Sequence, residues 1–408
     1  MATMNYPFPA SSLLLNAQIG FLNTHLALIH IPRESFPLFV QSILHLILHN
    51  DRRDEDGHVV EPSRPWSHWH PFVNISLTPS GCSVLCPRES AQALFAPSIA
   101  QLSSDLPQVA SISTEDYSAI HIGGEGLDAG QRVLDLTSPL ALAGIPIFFI
   151  TSYYCDYIIV PHSARARVIH ALEEQGFVFE ADPKDGEAGQ MTNPASPLLH
   201  PHHRHGSSSS SFDFLPRGVG TPPPANADEL QAKTFKTLAR NNITPDVDPT
   251  LRLITCAGMK DNASYNSDAA FNTSETALRH GLVLCLTSLP PPRFLSITLN
   301  DNESTSLTLE KELLRFFPDN GEDILLGNNG QEQIPITLDL KDLPLESTGI
   351  VCGVAGRLND GMKSRVSPET FNLSYLSTAK AGHVIVYEHE LEDAMTAFRG
   401  GQATQNSD

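Results

Sequence analysis

IPIFFITSYYCDYIIVP, residues 145–161, decides the fold. Its uninterrupted apolar run covers only Ile145 to Ile150, far short of the roughly 18 residues a membrane span needs. Two β-branched and aromatic runs flank the polar knot TSYYCD, residues 151–156, so the stretch reads as a buried β-hairpin.

The hairpin belongs to a longer pattern that recurs. DYSAIHIGG, LDAGQRVLDLTSPLALAG, the hairpin, SARARVIHALEEQG and FVFEA read as strand, helix, hairpin, helix, strand. PITLDLKDL, ESTGIVCGVAGRLNDG, FNLSYLSTAKAGHVIVYE and HELEDAMTAFRG repeat that language near the C-terminus. Weaker copies precede each, around LALIHIP with RESFPLFVQSILHLIL and around LRLITCAG with LVLCLTSLPPPRFLSITLN and SLTLEKELLRFFP. Such internal repetition predicts an α+β fold of four ferredoxin-like βαββαβ modules in two pairs. Their expected bounds are 13–104, with a charged insert around NDRRDEDGHVVEPSRP, then 105–181, 250–332 and 333–400. Ser35 ahead of Pro37, and Ser163 ahead of ARARVIHALEEQG, are read as helix starts. Val168, Ile169 and Leu172 share an apolar helix face, whereas Arg165, Glu173 and Glu174 face out.

Between the pairs, residues 182–249 are rich in Pro, Ser, His and Gly, and a disordered linker is expected, with a docking helix over 227–242. Residues 401–408 are expected to form a disordered tail. The 408 residues carry 26 Lys plus Arg against 46 Asp plus Glu, a formal charge of -20. That balance argues against nucleic acid and against an anionic membrane surface. Six cysteines, most of them within apolar runs, read as buried thiols in a reducing compartment. The N-terminal stretch has no positive charge before Arg33, and with no signal peptide legible the cytosol is the expected location.

The hairpin FFITSYYCDYIIV after PLALAGIP resembles the ACT domain, the small ligand-binding module of amino-acid-regulated proteins. Four such modules with a loose central linker resemble the CASTOR family of cytosolic arginine sensors upstream of the TOR kinase, here in a fungal version. The second and fourth modules carry the specific motifs. The resemblance implies a ligand between those two modules, held by the segments GIPI (144–147) and PLESTGIV (344–351). Backbone N–H groups at a helix N-terminus suit a carboxylate there. The implied contact residues are Pro146, Ile147, Ser347, Gly349, Ile350 and Thr378.

The departures are as specific. Pro146 replaces a family serine and removes a hydroxyl and an N–H together. The acids that hold the guanidinium fall at Ser347 and Gly382, and an aromatic wall falls at Ala379. Each charge-assisted hydrogen bond contributes about 1.5–3 kcal/mol, so arginine binding should weaken by roughly two to four powers of ten. Tight arginine sensing is therefore not expected, and the ligand is expected to be an amino acid or related small effector.

The resemblance also implies that the hairpin knot contacts the complex that restrains TOR inhibition, GATOR or its fungal counterpart SEA, through Tyr153, Tyr154 and Asp156. A tyrosine pair beside a carboxylate suits an interface hot spot; local packing of the turn is the plain alternative. A homodimer is a further expected assembly.

Other signals are weaker. GGEGLDAG (123–130) has dinucleotide-like glycine spacing, but an antiparallel hairpin follows instead of a parallel crossover. HPHHRHG (200–206) lacks the fixed scaffold of a structural metal site, and Cys82 and Cys86 lack Cys-x-x-Cys spacing. No nucleophile elbow, P-loop or His-Glu-x-x-His motif appears. A non-enzymatic protein without cofactor or metal is expected, either an amino-acid sensor or a ligand-blind interaction protein with a degraded pocket.

Overall fold

The computed structural model describes residues 18–48, 71–102, 110–123, 129–175, 178–181, 188–192, 224, 226–259, 273–301, 303–328, 331–363 and 373–400. The opening stretch is a hairpin, with β7 (Phe148–Thr151) paired antiparallel to β8 (Asp156–Pro161). Alternation along β8 serves two layers. Ile158 and Val160 pack under helices, whereas Tyr157 and Ile159 face an interior lined by strands.

Four strand sets share one antiparallel pairing order. The first comprises β2 (Leu26–Ile31), α1 (Phe36–Leu48), β3 (Phe72–Thr78), β4 (Gly81–Pro87), α2 (Arg88–Leu94), α3 (Ala96–Gln101) and β5 (Ser111–Ile112). Its strands lie in the order β5-β2-β4-β3. The second runs through β6 (Tyr117–Gly123), α4 (Ala129–Leu142), β7, β8 and α5 (Arg165–Glu173). The third contains β12 (Leu253–Gly258), α7 (Thr273–Thr287), β13 (Leu295–Asn300), β14 (Ser306–Glu310) and β15 (Leu325–Leu326). The fourth contains β16 (Gln333–Asp339), α8 (Ile350–Lys363), β17 (Ser374–Ser377), β18 (Ala381–Tyr387) and α9 (Leu391–Gly400).

The place beside the first strand of the second and fourth sets is filled from elsewhere in the chain. β1 (Gln18–Phe21) pairs with β6, and β11 (Asp246–Val247) pairs with β16. FVFEA, read as the closing strand of the second module, instead forms β9 (Val178–Ala181) and pairs with β10 (Ala188–Thr192), which in turn pairs with β1. Residues ahead of each pair of sets thus complete the later member of that pair.

The sets join edge to edge. Six residue pairs, Leu77↔Leu295 through Phe72↔Asn300, link β3 to β13, while Leu376↔Ile150 alone aligns β17 with β7. Single pairings Leu26↔Tyr117 and Leu253↔Gln333 connect the resulting sheets at both ends. Twelve strands, β2-β4-β3-β13-β14-β12-β16-β18-β17-β7-β8-β6, therefore close into a flattened antiparallel barrel. Closure removes unpaired edges. The interior is filled by Phe72, Phe148, Tyr157, Phe294, Leu376 and their neighbours. The helices form outer layers, α1 and α7 over one half and α4, α5, α8 and α9 over the other.

Several expectations are corrected. Within residues 182–249, expected as a linker with a docking helix over 227–242, α6 (Ala227–Arg240) forms a helix, with the Asn226 side chain accepting the Glu229 N–H at 2.8 Å, and packs Leu238 and Phe235 into the helical core. Its Thr234, every fourth residue from Leu230 and Leu238, makes the buried stripe that the sparse apolar pattern concealed. Ser163 does not cap α5; it lies inside a short 3-10 turn, and the N-cap is Ala164, which gives no capping hydrogen bond, whereas Ser35 ends a 3-10 turn directly before α1. The helix expected after SLTLE is a pair of 3-10 turns over 311–321. Residues 124–128 of the glycine-rich loop, the tract 200–206, the charged insert and the tail 401–408 lie outside the described residues. All six cysteines are buried free thiols. No helix among the described residues is long and apolar enough to cross a membrane.

Candidate functional site

Four of the six implied ligand contacts, Ile147, Ser347, Ile350 and Thr378, line one crevice at the β7–β17 seam. Gly349 lies between Ser347 and Ile350, immediately before α8, and Pro146 is half-buried beside Ile147 but is not part of the lining. Tyr375, Ala379, Leu343 and Pro344 are among the other residues of the walls. The cavity measures about 50 Å³. At roughly 10–15 Å³ per water on that measure, it holds a few waters and is far too small for an arginine side chain.

Glycine is required at two positions here. Gly349 has φ of +82°, and a Cβ would sit 2.7 Å from Leu230 Cδ1 because α6 lies across it. Its carbonyl accepts from Thr234 Oγ1 at 3.0 Å and from Gly353 N–H at 2.8 Å. At Gly382 a Cβ would lie 2.4 Å from the Tyr375 hydroxyl. The place where the family resemblance puts a guanidinium-binding acid is thus occupied by a buried phenol, whose pKa burial pushes up.

The seam itself is held by hydroxyls. Ser377 Oγ accepts the Phe149 N–H at 2.9 Å, and Thr151 Oγ1 accepts the Tyr375 N–H at 3.1 Å. Thr378 Oγ1 is engaged within its own turn, donating to the Ala381 carbonyl and accepting the Ala381 N–H, both at 3.1 Å. The nearest acid in the loop, Glu346, is exposed. It helps to push Tyr117 up to about 12, after burial and Glu115.

The hairpin knot is placed differently from expectation. Asp156 is only 1% exposed and forms an ion pair with Arg132 on α4, Oδ2 to Nη2 2.6 Å. Burial raises its pKa against the opposing pull of Arg132. Its carboxylate cannot face a partner, which corrects the reading of Asp156 as a partner-contact residue: as the first residue of β8 its side chain points to the helical layer. Tyr153 is 37% exposed. Its N–H donates to Ser306 Oγ at 2.7 Å, and its ring lies against Gly327, where a Cβ would come within 2.3 Å. The Tyr154 ring meets it edge-on at 5.0 Å. The knot therefore docks the second strand set onto the third and leaves only part of the tyrosine pair in solvent.

Sequence reasoning missed Tyr375, which reads as an ordinary strand aromatic, and Arg132, whose partner lies in another element. It also missed that His121, Cys155 and Glu303 meet beneath the knot.

Residues 112–174, which span β6, α4, β7, β8 and α5, match the family model for the ACT domain. Similar solved structures include aspartate kinase from Synechocystis, at 11% identity over 94% of this chain and 55% of that chain, with a TM-score of 0.28. The ligand-free regulatory subunit of aspartate kinase from Thermus thermophilus is similar at 14% identity over 40% of this chain and 98% of that chain, TM-score 0.26. A Vibrio cholerae protein of unknown function, described as a possible transport protein, is similar at 18% identity over 40% and 92%, TM-score 0.23. This chain spans about half the length of the Synechocystis kinase, 55%. No curated protein matches it. The chain carries an ACT domain, a class of regulatory module that generally binds amino acids.

Proposed function

We propose that the chain is a non-enzymatic amino-acid-sensing regulatory protein of the CASTOR type, with all four strand sets acting as ACT modules. A small amino acid or related effector binds between the second and fourth sets and alters affinity for a GATOR/SEA-type complex that controls TOR signalling. What carries the reading is the convergence of Ile147, Ser347, Ile350 and Thr378 on one crevice beside the N-terminus of α8. A carboxylate suits the helix N-terminus, and walls of Ile147, Ala379 and Tyr375 without a charged side chain favour a small, uncharged side chain over arginine. The coupling needs a ligand that prefers one arrangement of the seam, with a normal difference of about 1–3 kcal/mol.

A second reading is favoured by the 50 Å³ volume and by Tyr375 over Gly382: the crevice is filled by its own side chains, and the chain is a ligand-blind interaction protein. A thermal-shift series with the twenty amino acids at millimolar concentration separates the two, because a ligand that binds only the folded state raises Tm. The sensor reading expects a rise with small uncharged amino acids and little with arginine. A flat series leaves the ligand-blind reading.

A further inference from the structure

We propose that His121, Cys155 and Glu303 form a zinc site that clasps the second strand set to the third. His121 comes from β6, Cys155 from the turn that opens β8, and Glu303 from the β13–β14 connection. The three ligand atoms lie within 4.8 Å of one another. His121 Nε2 is 3.5 Å from Glu303 Oε1, and Cys155 Sγ is 3.1 Å from Glu303 Oε2. A tetrahedral zinc ion with bonds of about 2.0–2.3 Å has ligand–ligand edges of roughly 3.3–3.7 Å. The two edges to Glu303 are within a few tenths of an ångström of that range, and with all three atoms within 4.8 Å of one another the remaining His121–Cys155 edge closes by side-chain movement of up to about an ångström.

The donor set selects the metal class. One thiolate, one imidazole and one carboxylate suit zinc, whereas magnesium and calcium call for oxygen alone. Three protein ligands leave a fourth position for water. His121 and Glu303 are 28% and 23% exposed, which gives an ion a route in, while Cys155 is buried at 4%.

Neighbours hold the ligands as metal-site supports do. The Asn300 amide donates to Glu303 Oε2 at 3.0 Å, and its carbonyl oxygen accepts the Glu303 N–H at 2.6 Å. The same amide donates to Tyr157 Oη at 2.6 Å. The Tyr157 ring packs against the His121 ring at 5.5 Å. Ser152 Oγ lies 3.3 Å from Cys155 Sγ. Asn300, Tyr157 and Ser152 are buried, so these supports belong to the rigid interior. Without metal the thiol donates to Glu303; on binding, a Zn–S bond forms and the S–H proton passes to solvent.

The test uses cobalt(II) as the probe on the full chain after dialysis against a chelator. The expected result is one equivalent bound with a thiolate-to-cobalt charge-transfer band, lost in Cys155→Ser and weakened at least tenfold in affinity in Glu303→Gln. Circular dichroism and Tm without metal show whether each variant is folded, and His121→Gln serves as the second variant if Cys155→Ser is not. Histidines at 200–205 could bind cobalt but supply no thiolate band. Cobalt binding without that band, a band that persists in folded Cys155→Ser, or no stoichiometric binding overturns the proposal.

Discussion

The hydroxyl of Ser377 accepts the backbone N–H of Phe149 at 2.9 Å, a side chain doing across the β7–β17 seam what carbonyls do across the β3–β13 seam. The two seams differ in kind: six ladder pairs join the first and third sets, one joins the second and fourth. The crevice lies at the weaker seam. Ser377→Ala leaves a buried N–H without its acceptor and should cost about 1–3 kcal/mol, read by urea unfolding. The same change should reduce any amino-acid-induced rise in Tm, whereas an undiminished rise would separate ligand binding from the seam.

The stronger seam has its own polar interior. Asn74 Nδ2 donates to Thr298 Oγ1 at 3.1 Å and Ser296 Oγ at 3.3 Å, and Ser76 Oγ donates to Asn74 Oδ1 at 2.8 Å. All four residues are buried. Asn74→Leu strands these hydroxyls and overfills the site, so a loss of about 2–4 kcal/mol is expected. A loss below about 0.5 kcal/mol in chemical denaturation would mean that the network contributes little to the joint.

Asp156→Ala should lower stability by about 3–5 kcal/mol, because it leaves Arg132 half-buried without its counter-charge. Tyr153→Ala, which removes a partly exposed ring, should cost less. A melting point for Asp156→Ala equal to the parent's would return the carboxylate to the surface role that its sequence position suggests.

The hairpin and the strand–helix alternation were legible because they are local, as period-two strands and helical runs, whereas the crevice residues followed from the family resemblance alone and not from any local pattern. What escaped the sequence is set by distance along the chain. Nothing near DYIIVP says that Asp156 meets Arg132, or that β1 rather than FVFEA lies beside β6. Glu303 is remote from Cys155 in sequence, so no motif spacing could join them. The helix over 227–242 was visible in composition, but its role depends on Gly349 having no side chain beneath Leu230. The seam hydroxyls look like ordinary turn residues until two strands are placed side by side.

That glycine gives a further expectation. Gly349→Ala combines a left-handed backbone with a contact to Leu230 at 2.7 Å, so a loss of more than about 1 kcal/mol is expected. Adding Leu230→Ala relieves the contact and not the backbone. The double variant should therefore remain less stable than Leu230→Ala alone, as thermal or urea unfolding of the two would show.

Acid should open the barrel from inside. His383 is fully buried in β18, edge-on to the Phe294 ring at 5.4 Å, with Nδ1 3.1 Å from Thr337 Oγ1. Burial lowers its pKa from 6.5 to about 4. The unfolded chain then binds a proton between pH 6.5 and 4 that the folded chain does not. Stability is fully present above pH 6.5 and falls as the pH drops toward 4, by about 3 kcal/mol for this residue. His30, lowered to about 4 by burial and then by Lys380, acts in the same direction. Urea unfolding of parent and His383→Gln at pH 7, 6, 5 and 4.5 isolates the contribution: the gap between the two curves should narrow as pH falls, because only the parent loses this term. A gap that stays constant would show that His383 is protonated inside the folded barrel.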